Sequence, residues 1–207
     1  TDRPTDLDVD VLVLPVFEGP EAGPGVKDVK GIDLLALFSA AGSKGKRGES
    51  LLVPNTGDKA LAAKAVLLIG VGERSDADPD VCRRAIGRVA HQLAKRKTAA
   101  TTLPQIVSSK EQVDAVQATV EGVLLGSYRF DRYKSSKNGD SDDSGPQQLE
   151  IVSEDDLSTV VGDTDIVAEH QNAARDLQNL PANDLTPVKL AEHALERVAE
   201  IDGLEGE

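Results

Sequence analysis

The stretch Leu7-Asp8-Val9-Asp10-Val11-Leu12-Val13-Leu14-Pro15-Val16 begins as an alternation of apolar and acidic residues and becomes an unbroken apolar run. Alternation marks a strand with one wet face, whereas a continuous run marks a strand covered on both. The stretch therefore reads as a buried strand in a sheet with helices on its two faces. Two further β-capable runs, Glu49 to Val53 and Ala65 to Val71, are bounded by Pro54-Asn55-Thr56-Gly57-Asp58 and by Gly70 and Gly72. Between the first strand and these lie turn punctuation from Gly19-Pro20 to Gly25, a short helix from Asp33 to Ala40, and a flexible basic loop, Gly42-Ser43-Lys44-Gly45-Lys46-Arg47-Gly48.

Helices alternate with the strands downstream. Asp78-Pro79 is a helix start, since the Asp side chain accepts orphan amide hydrogens and proline at the first position has none to lose. The spacing of Cys82, Ala85, Ile86, Val89, Ala90 and Leu93 predicts an amphipathic helix to about Lys97, with Lys95-Arg96-Lys97 where the dipole favours cations. Thr98 to Val107 reads as a strand interrupted by Pro104. Ser108 and Glu111 then have capping-box spacing ahead of a helix carrying Val113, Val116, Val120, Val123 and Leu124. From Lys134 to Pro146 no large apolar residue occurs, the composition of a mobile loop. An edge strand from Gln148 to Val152 and a helix from about Asp165 to Leu177 follow. Thr186-Pro187 starts a last helix with Leu190, Ala194, Val198 and Ile201 on one stripe and no later strand to pack on. The expected organisation is an αβα domain over 1–137, an acidic loop, edge strand and linker over 138–164, and the first helices of a second domain over 165–207.

Composition narrows the partners. With 207 residues, 39% hydrophobic and 29% charged, the chain suits one globular domain plus a piece of another. Aromatic residues make up only 2%, too few for a platform that stacks single-stranded bases. Of the net charge of -13, the segment Asn138 to Ala174 supplies ten acids and no Lys or Arg, which leaves the remainder close to neutral. Long-range attraction to phosphate backbones is then absent, and nucleic acid is a disfavoured partner. A single cysteine, Cys82, forms no intramolecular disulfide, and the polar start shows neither export signal nor membrane-length apolar run. A cytoplasmic location without a membrane partner is the expectation.

Few residues offer chemistry. Gly70-Val71-Gly72, after a strand and before the Asp78 helix, resembles a phosphate-binding turn, yet Ser75 stands where a third glycine belongs, and Glu73, Asp76 and Asp78 would repel a pyrophosphate. An ordinary tight connection explains it better. His91, His170 and His193 have no chelating spacing, and Cys82 falls on an apolar stripe as a small core residue. The pairs Asp142-Asp143 and Asp155-Asp156 lie in solvated surroundings unsuited to acid/base work. The basic groups Lys44 to Arg47 and Lys95 to Lys97 fit a solvated loop and a helix end as well as a phosphate contact. No catalytic, cofactor-binding or metal-binding residue is assigned.

Four segments in order resemble the amino-terminal part of the leucyl (cytosol) aminopeptidase family. They are Gly45-Lys46-Arg47-Gly48-Glu49-Ser50-Leu51, Val66-Leu67-Leu68-Ile69-Gly70-Val71-Gly72, Glu121 to Tyr133 (Glu-Gly-Val-Leu-Leu-Gly-Ser-Tyr-Arg-Phe-Asp-Arg-Tyr), and Ala174 to Pro187 (Ala-Arg-Asp-Leu-Gln-Asn-Leu-Pro-Ala-Asn-Asp-Leu-Thr-Pro). The resemblance implies a three-layer αβα domain with a macro-domain-like mixed sheet, joined to a peptidase domain in a hexamer. It also implies paired divalent metals, manganese or zinc, that generate a hydroxide and release amino-terminal residues, preferably leucine, from peptides. The family's metal ligands and its catalytic lysine and arginine lie downstream of the Ala174 to Pro187 segment, so none maps onto this sequence and these 207 residues alone are expected to be inactive. Three roles follow: assembly and substrate access within an aminopeptidase, which is preferred; a macro-like module for ADP-ribose or another anion, with Gly70 to Gly72 as its contact; and DNA binding.

Overall fold

Val11–Phe17 forms β1, buried at every residue. Its side chains divide by parity: Val11, Val13 and Phe17 enter one apolar cluster, and Leu12, Leu14 and Val16 enter another on the opposite face. The same holds for β4 (Ala65–Gly72), with Leu67, Ile69 and Val71 on the first face and Val66 and Leu68 on the second. Two cores share one sheet, so neither strand has a wet side. That is the physical cause of the continuous apolar runs.

This computed structural model describes residues 3–134 and 146–206. The loop expected from Lys134 to Pro146 falls almost wholly outside the described residues. The chain divides into two compact units, Thr1–Glu169 and His170–Glu207. In the first unit β1 pairs in parallel with β4 on one side and with β5 (Thr98–Thr101) on the other. Beyond them β6 (Gln148–Ile151) runs parallel to β5 at one edge, and β3 (Ser50–Pro54) runs antiparallel to β4 at the other. The order is β3-β4-β1-β5-β6, with the two-residue β2 (Glu21–Ala22) antiparallel to the end of β1. Pro15 is tolerated in a central strand because the β5 ladder ends at the Val13 and Thr101 pair, before Pro15 is reached.

Helices cover both faces. α1 (Leu34–Ala40) places Leu34 and Phe38 in the second core, its first turn held by the Asp33 carboxylate, which accepts from the Ala36 amide at 3.0 Å. α2 (Pro79–Leu93) and α3 (Gln112–Gly126) cover the first core. The Asp78 side chain accepts from the Val81 amide at 2.7 Å, the expected cap, with Pro79 at the first position. α2 and α3 pack through glycines: a Cβ on Gly122 would stand 2.5 Å from the Arg83 carbonyl, and one on Gly126 2.7 Å from that of Gly87. Arg83 fastens the pair from the side, with Nε 2.7 Å from Glu121 of α3 and Nη1 2.9 Å from Asp80 of its own helix. The three-layer αβα arrangement with a mixed sheet is the one expected.

Several element limits differ from the sequence reading. α2 stops at Leu93, so Lys95, Arg96 and Lys97 lie past its last turn, and the Lys97 amide donates instead to the Asp10 carboxylate at 2.8 Å. β5 stops at Thr101, whose hydroxyl donates to the Val13 carbonyl and accepts from the Leu103 amide, both at 3.1 Å. That second bond turns the chain into a 3-10 segment, Leu103–Ile106, which accommodates Pro104 near its start. The capping box does not close: Ser108 Oγ donates to the Glu111 carboxylate at 2.6 Å, and Ser109–Glu111 is a 3-10 turn before α3. α4 (Ser158–Asn179) begins seven residues earlier than expected, its first turn fixed by Asp156, which accepts from the Ser158 amide at 3.0 Å. In the second unit α5 (Pro187–Glu200) starts as expected, with Thr186 accepting from the Lys189 amide. It buries no residue, and Val188, Leu190, Leu195 and the following Ile201 are exposed.

Candidate functional site

The turn that most resembles a phosphate cradle is occupied by the protein itself. Gly70 and Gly72 end β4, and their amides donate to the carbonyls of Glu49 at 2.8 Å and of Gly45 at 2.9 Å. The loop carrying Lys44 to Gly48 therefore lies across the end of the sheet, where a phosphate would have to sit. Close approach explains the glycines: a Cβ on Gly70 would collide with the Lys46 carbonyl, one on Gly45 with the Phe17 carbonyl, and Gly72 and Gly45 adopt φ of +86° and +84°. The Gly70 and Gly72 amides are thus already engaged and not free for an anion.

A carboxylate organises that loop from within. Glu49 accepts from the Lys44 amide at 2.7 Å and the Lys46 amide at 3.0 Å. Burial opposes its charge, but the amides of Lys44, Lys46 and Gly45 prevail and hold its pKa below the ordinary value. Arg47 points to Asp76 at 3.5 Å, and the Arg88 guanidinium lies over Gly48. The α2 N-terminus is already capped by Asp78 and flanked by Asp76 and Asp80, with Arg84 on Asp80 at 2.6 Å. Acid and base are paired locally, and the basic loop is a structural clasp.

The remaining candidates are dispersed. Cys82 is fully buried, its thiol 3.7 Å from the Leu103 carbonyl, and burial followed by the nearby Asp78 charge pushes its pKa up to about 12. Such a thiol is a core residue. His91 is exposed near the end of α2 in the first unit, while His170 and His193 belong to the second. Asp142 and Asp143 lie outside the described residues, and Asp155 and Asp156 precede α4, the latter as its cap. Among the described residues no group of three or more His, Cys, Asp or Glu side chains is placed to hold a metal ion. The donor set that paired divalent metals need is not among them.

Two features escaped sequence reading. Asp10 joins three elements: it accepts from Lys64 Nζ at 2.6 Å and from the Lys97 and Thr98 amides at 2.8 and 3.3 Å. Those bonds, Lys64 first, lower its carboxyl from 3.8 to about 2. The second is a cavity of about 580 Å³ in the first unit, walled by α3, β6 and the start of α4. Its lining comes from residues distant in sequence, Val116 to Asp165, so no local pattern announces it.

With this geometry established, comparison with known proteins is direct. A family model described as the cytosol aminopeptidase family, N-terminal domain, matches residues 13–137. The chain is 34% identical over 210 residues to a probable cytosol aminopeptidase of Roseiflexus castenholzii, covering 96% of this chain and 40% of that protein. Among solved structures, a tomato leucine aminopeptidase mutant superposes with a TM-score of 0.68 at 22% identity, over 94% of this chain and 40% of its own. The bottromycin maturation enzyme BotP in complex with Mn superposes with a TM-score of 0.69 at 22% identity, over 93% and 36%. Likeness at that identity establishes the fold. The chain spans less than half the length of these proteins. Among the described residues no helix is long and apolar enough to cross a membrane.

Proposed function

The chain belongs to the cytosol aminopeptidase family, whose N-terminal domain it contains, and from that premise we propose that it serves as the non-catalytic N-terminal part of a metal-dependent aminopeptidase. The match over residues 13–137 to that domain carries the reading. In this reading 1–137 is the N-terminal domain, 138–164 the linker, and 165–207 the opening of the peptidase domain. The parent protein, a hydrolase, is cytoplasmic, assembles as a hexamer, and releases amino-terminal residues, leucine preferred, from peptides with two manganese or zinc ions. The domain positions its peptidase partners and shapes access to them. Because the described residues supply no metal-ligand group, no hydrolytic step is assigned to any side chain of this chain.

What the domain contributes is shape and rigidity. Its central strands β1 and β4 are buried on both faces, its basic loop is clasped onto the sheet end, and Arg47 of that loop pairs with Asp76. The runner-up roles have less support: the turn proposed for ADP-ribose has its Gly70 and Gly72 amides engaged, and the charge of the chain opposes DNA.

The test has two arms. In cells, an antibody against this chain is expected to recover a protein more than twice its length. The purified 207-residue chain is expected to leave leucine p-nitroanilide intact in manganese or zinc. A native species of only this length, or saturable hydrolysis abolished by chelation, would overturn the reading.

A further inference from the structure

The 580 Å³ cavity lies away from the clasped loop and has a defined chemistry. Its walls are aliphatic: Val120 and Leu124 from α3, Leu149 and Ile151 from β6, Leu157 and Val161 from α4. A space of this size lined by aliphatic groups is within the range of small-molecule sites, and water gains few hydrogen bonds there. Among the described residues, the ionisable groups on its lining are Asp155, Asp156 and Asp165. Asp156 accepts from the Ser158 amide as the cap of α4. Asp155 and Asp165 are exposed and make no ion pair among the described residues. No Lys or Arg occurs anywhere from Asn138 to Ala174, so the segment that builds the acidic mouth brings no counter-charge of its own.

Gly162 stands on the same lining as these groups. It lies within α4 on the cavity lining, and a Cβ built there would meet nothing within 4 Å. Glycine inside a helix is unfavourable relative to alanine, and here no neighbour demands it. A bulky side chain at this position would enter that open space.

We propose that this cavity is a binding site for a small ligand with an aliphatic body and a cationic head, a primary alkylammonium, whose chain enters between α3, β6 and α4 while its charge meets Asp165 and Asp155. The carboxylates select the head group, and the aliphatic walls accept the chain without regard to its details. The proposal is independent of the peptidase reading, because it concerns binding by this chain alone.

The head-group rule is tested on the unaltered 207-residue chain with n-octylammonium, n-octanol and n-octanoate, followed by amide and methyl NMR. Octylammonium is expected to shift resonances of α3 and β6 saturably and to bind about fivefold more tightly than octanol, the ratio an exposed ion pair supports. Octanoate is expected to bind more weakly than octanol. Asp165→Asn combined with Asp155→Asn should bring the amine to the affinity of the alcohol, and Gly162→Phe, which fills the space, should abolish binding of both. Equal affinity for the three head groups, unchanged binding in Gly162→Phe, or no saturable shift would overturn the site. So would a concentration-dependent dimer lost in Gly162→Phe without any amine binding, since a second copy would then be the occupant. The comparison of head groups needs no variant and stands even where Gly162→Phe fails to fold.

Discussion

Asp10 shows how one side chain ties distant parts of the chain together. Its carboxylate receives Lys64 just ahead of β4 and the two amides that lead into β5. Asp10→Ala is expected to destabilise the first unit by about 2 kcal/mol, since it removes charge-assisted bonds and leaves the Lys97 amide without its acceptor. Urea unfolding of the two proteins checks this, and equal midpoints would refute it. The pH dependence has a definite sign. The folded carboxyl, at about 2, lies below its ordinary 3.8, so its stabilisation is fully present above about pH 4 and fades as pH falls toward 2. The loss on going from pH 5 to pH 2.5 should be smaller in Asp10→Ala than in the parent chain. Cys82 gives a second residue-scale expectation: with its thiol raised to about 12 by burial, it should resist a disulfide-exchange reagent at pH 8 until the protein is unfolded. Rapid labelling of the native chain would contradict its place in the core.

Among elements, the contact between α2 and α3 depends on absent side chains. Gly122→Ala would force a methyl to within 2.5 Å of the Arg83 carbonyl and the Ile86 Cγ2, an overpacking that should cost about 1–3 kcal/mol. Gly162→Ala in α4 has open space instead and should stabilise the helix by about 0.5–1 kcal/mol. Opposite signs in one urea series are the expected result, and the same sign for both would refute the packing argument. Elements whose signal is local were legible in sequence: α2 from Asp78-Pro79 and its apolar spacing, α5 from Thr186-Pro187, β1 and β4 from their apolar runs. Those decided by tertiary contact were not. The start of α4 is rich in Asp, β-branched residues and a glycine, a composition of low helix propensity, yet the Asp156 cap and the burial of Thr164 and Ala168 hold it helical. β2 is two residues long and exists through its pairing with β1. Arg74 steadies that hairpin, lying 3.9 Å over the Phe17 ring and 2.7 Å from Glu21. Arg74 reaches that hairpin from 53 residues beyond Glu21, so no local pattern announces the contact.

For the molecule as a whole, the acidic balance sets the expected behaviour toward nucleic acid. A chain of net charge -13 should leave duplex DNA unretarded in a mobility-shift titration even at low salt, because binding there scales with phosphates neutralised. A retarded band that disappears steeply with added salt would refute this. The layered architecture was readable because parity and period are written into short stretches. The cavity and the clasp were not, since both arise where separate stretches meet: Glu49 shows its purpose only when Gly70 and Gly72 lie beneath its loop. The family resemblance was legible because motifs keep their order along the chain, and it carried the functional reading further than any single residue did.

The parity of β1 has a temporal consequence. During synthesis this strand leaves the ribosome well before its parallel partners: Leu12 waits for Val66, and Val11 waits for Ala99. Until then a ribbon that is apolar on both sides has nowhere to hide, and its two free edges can recruit another nascent chain. The nascent chain should therefore depend on chaperone shelter until Thr101 has emerged, and slowing translation before that point should lower the soluble yield while slowing it afterwards should not.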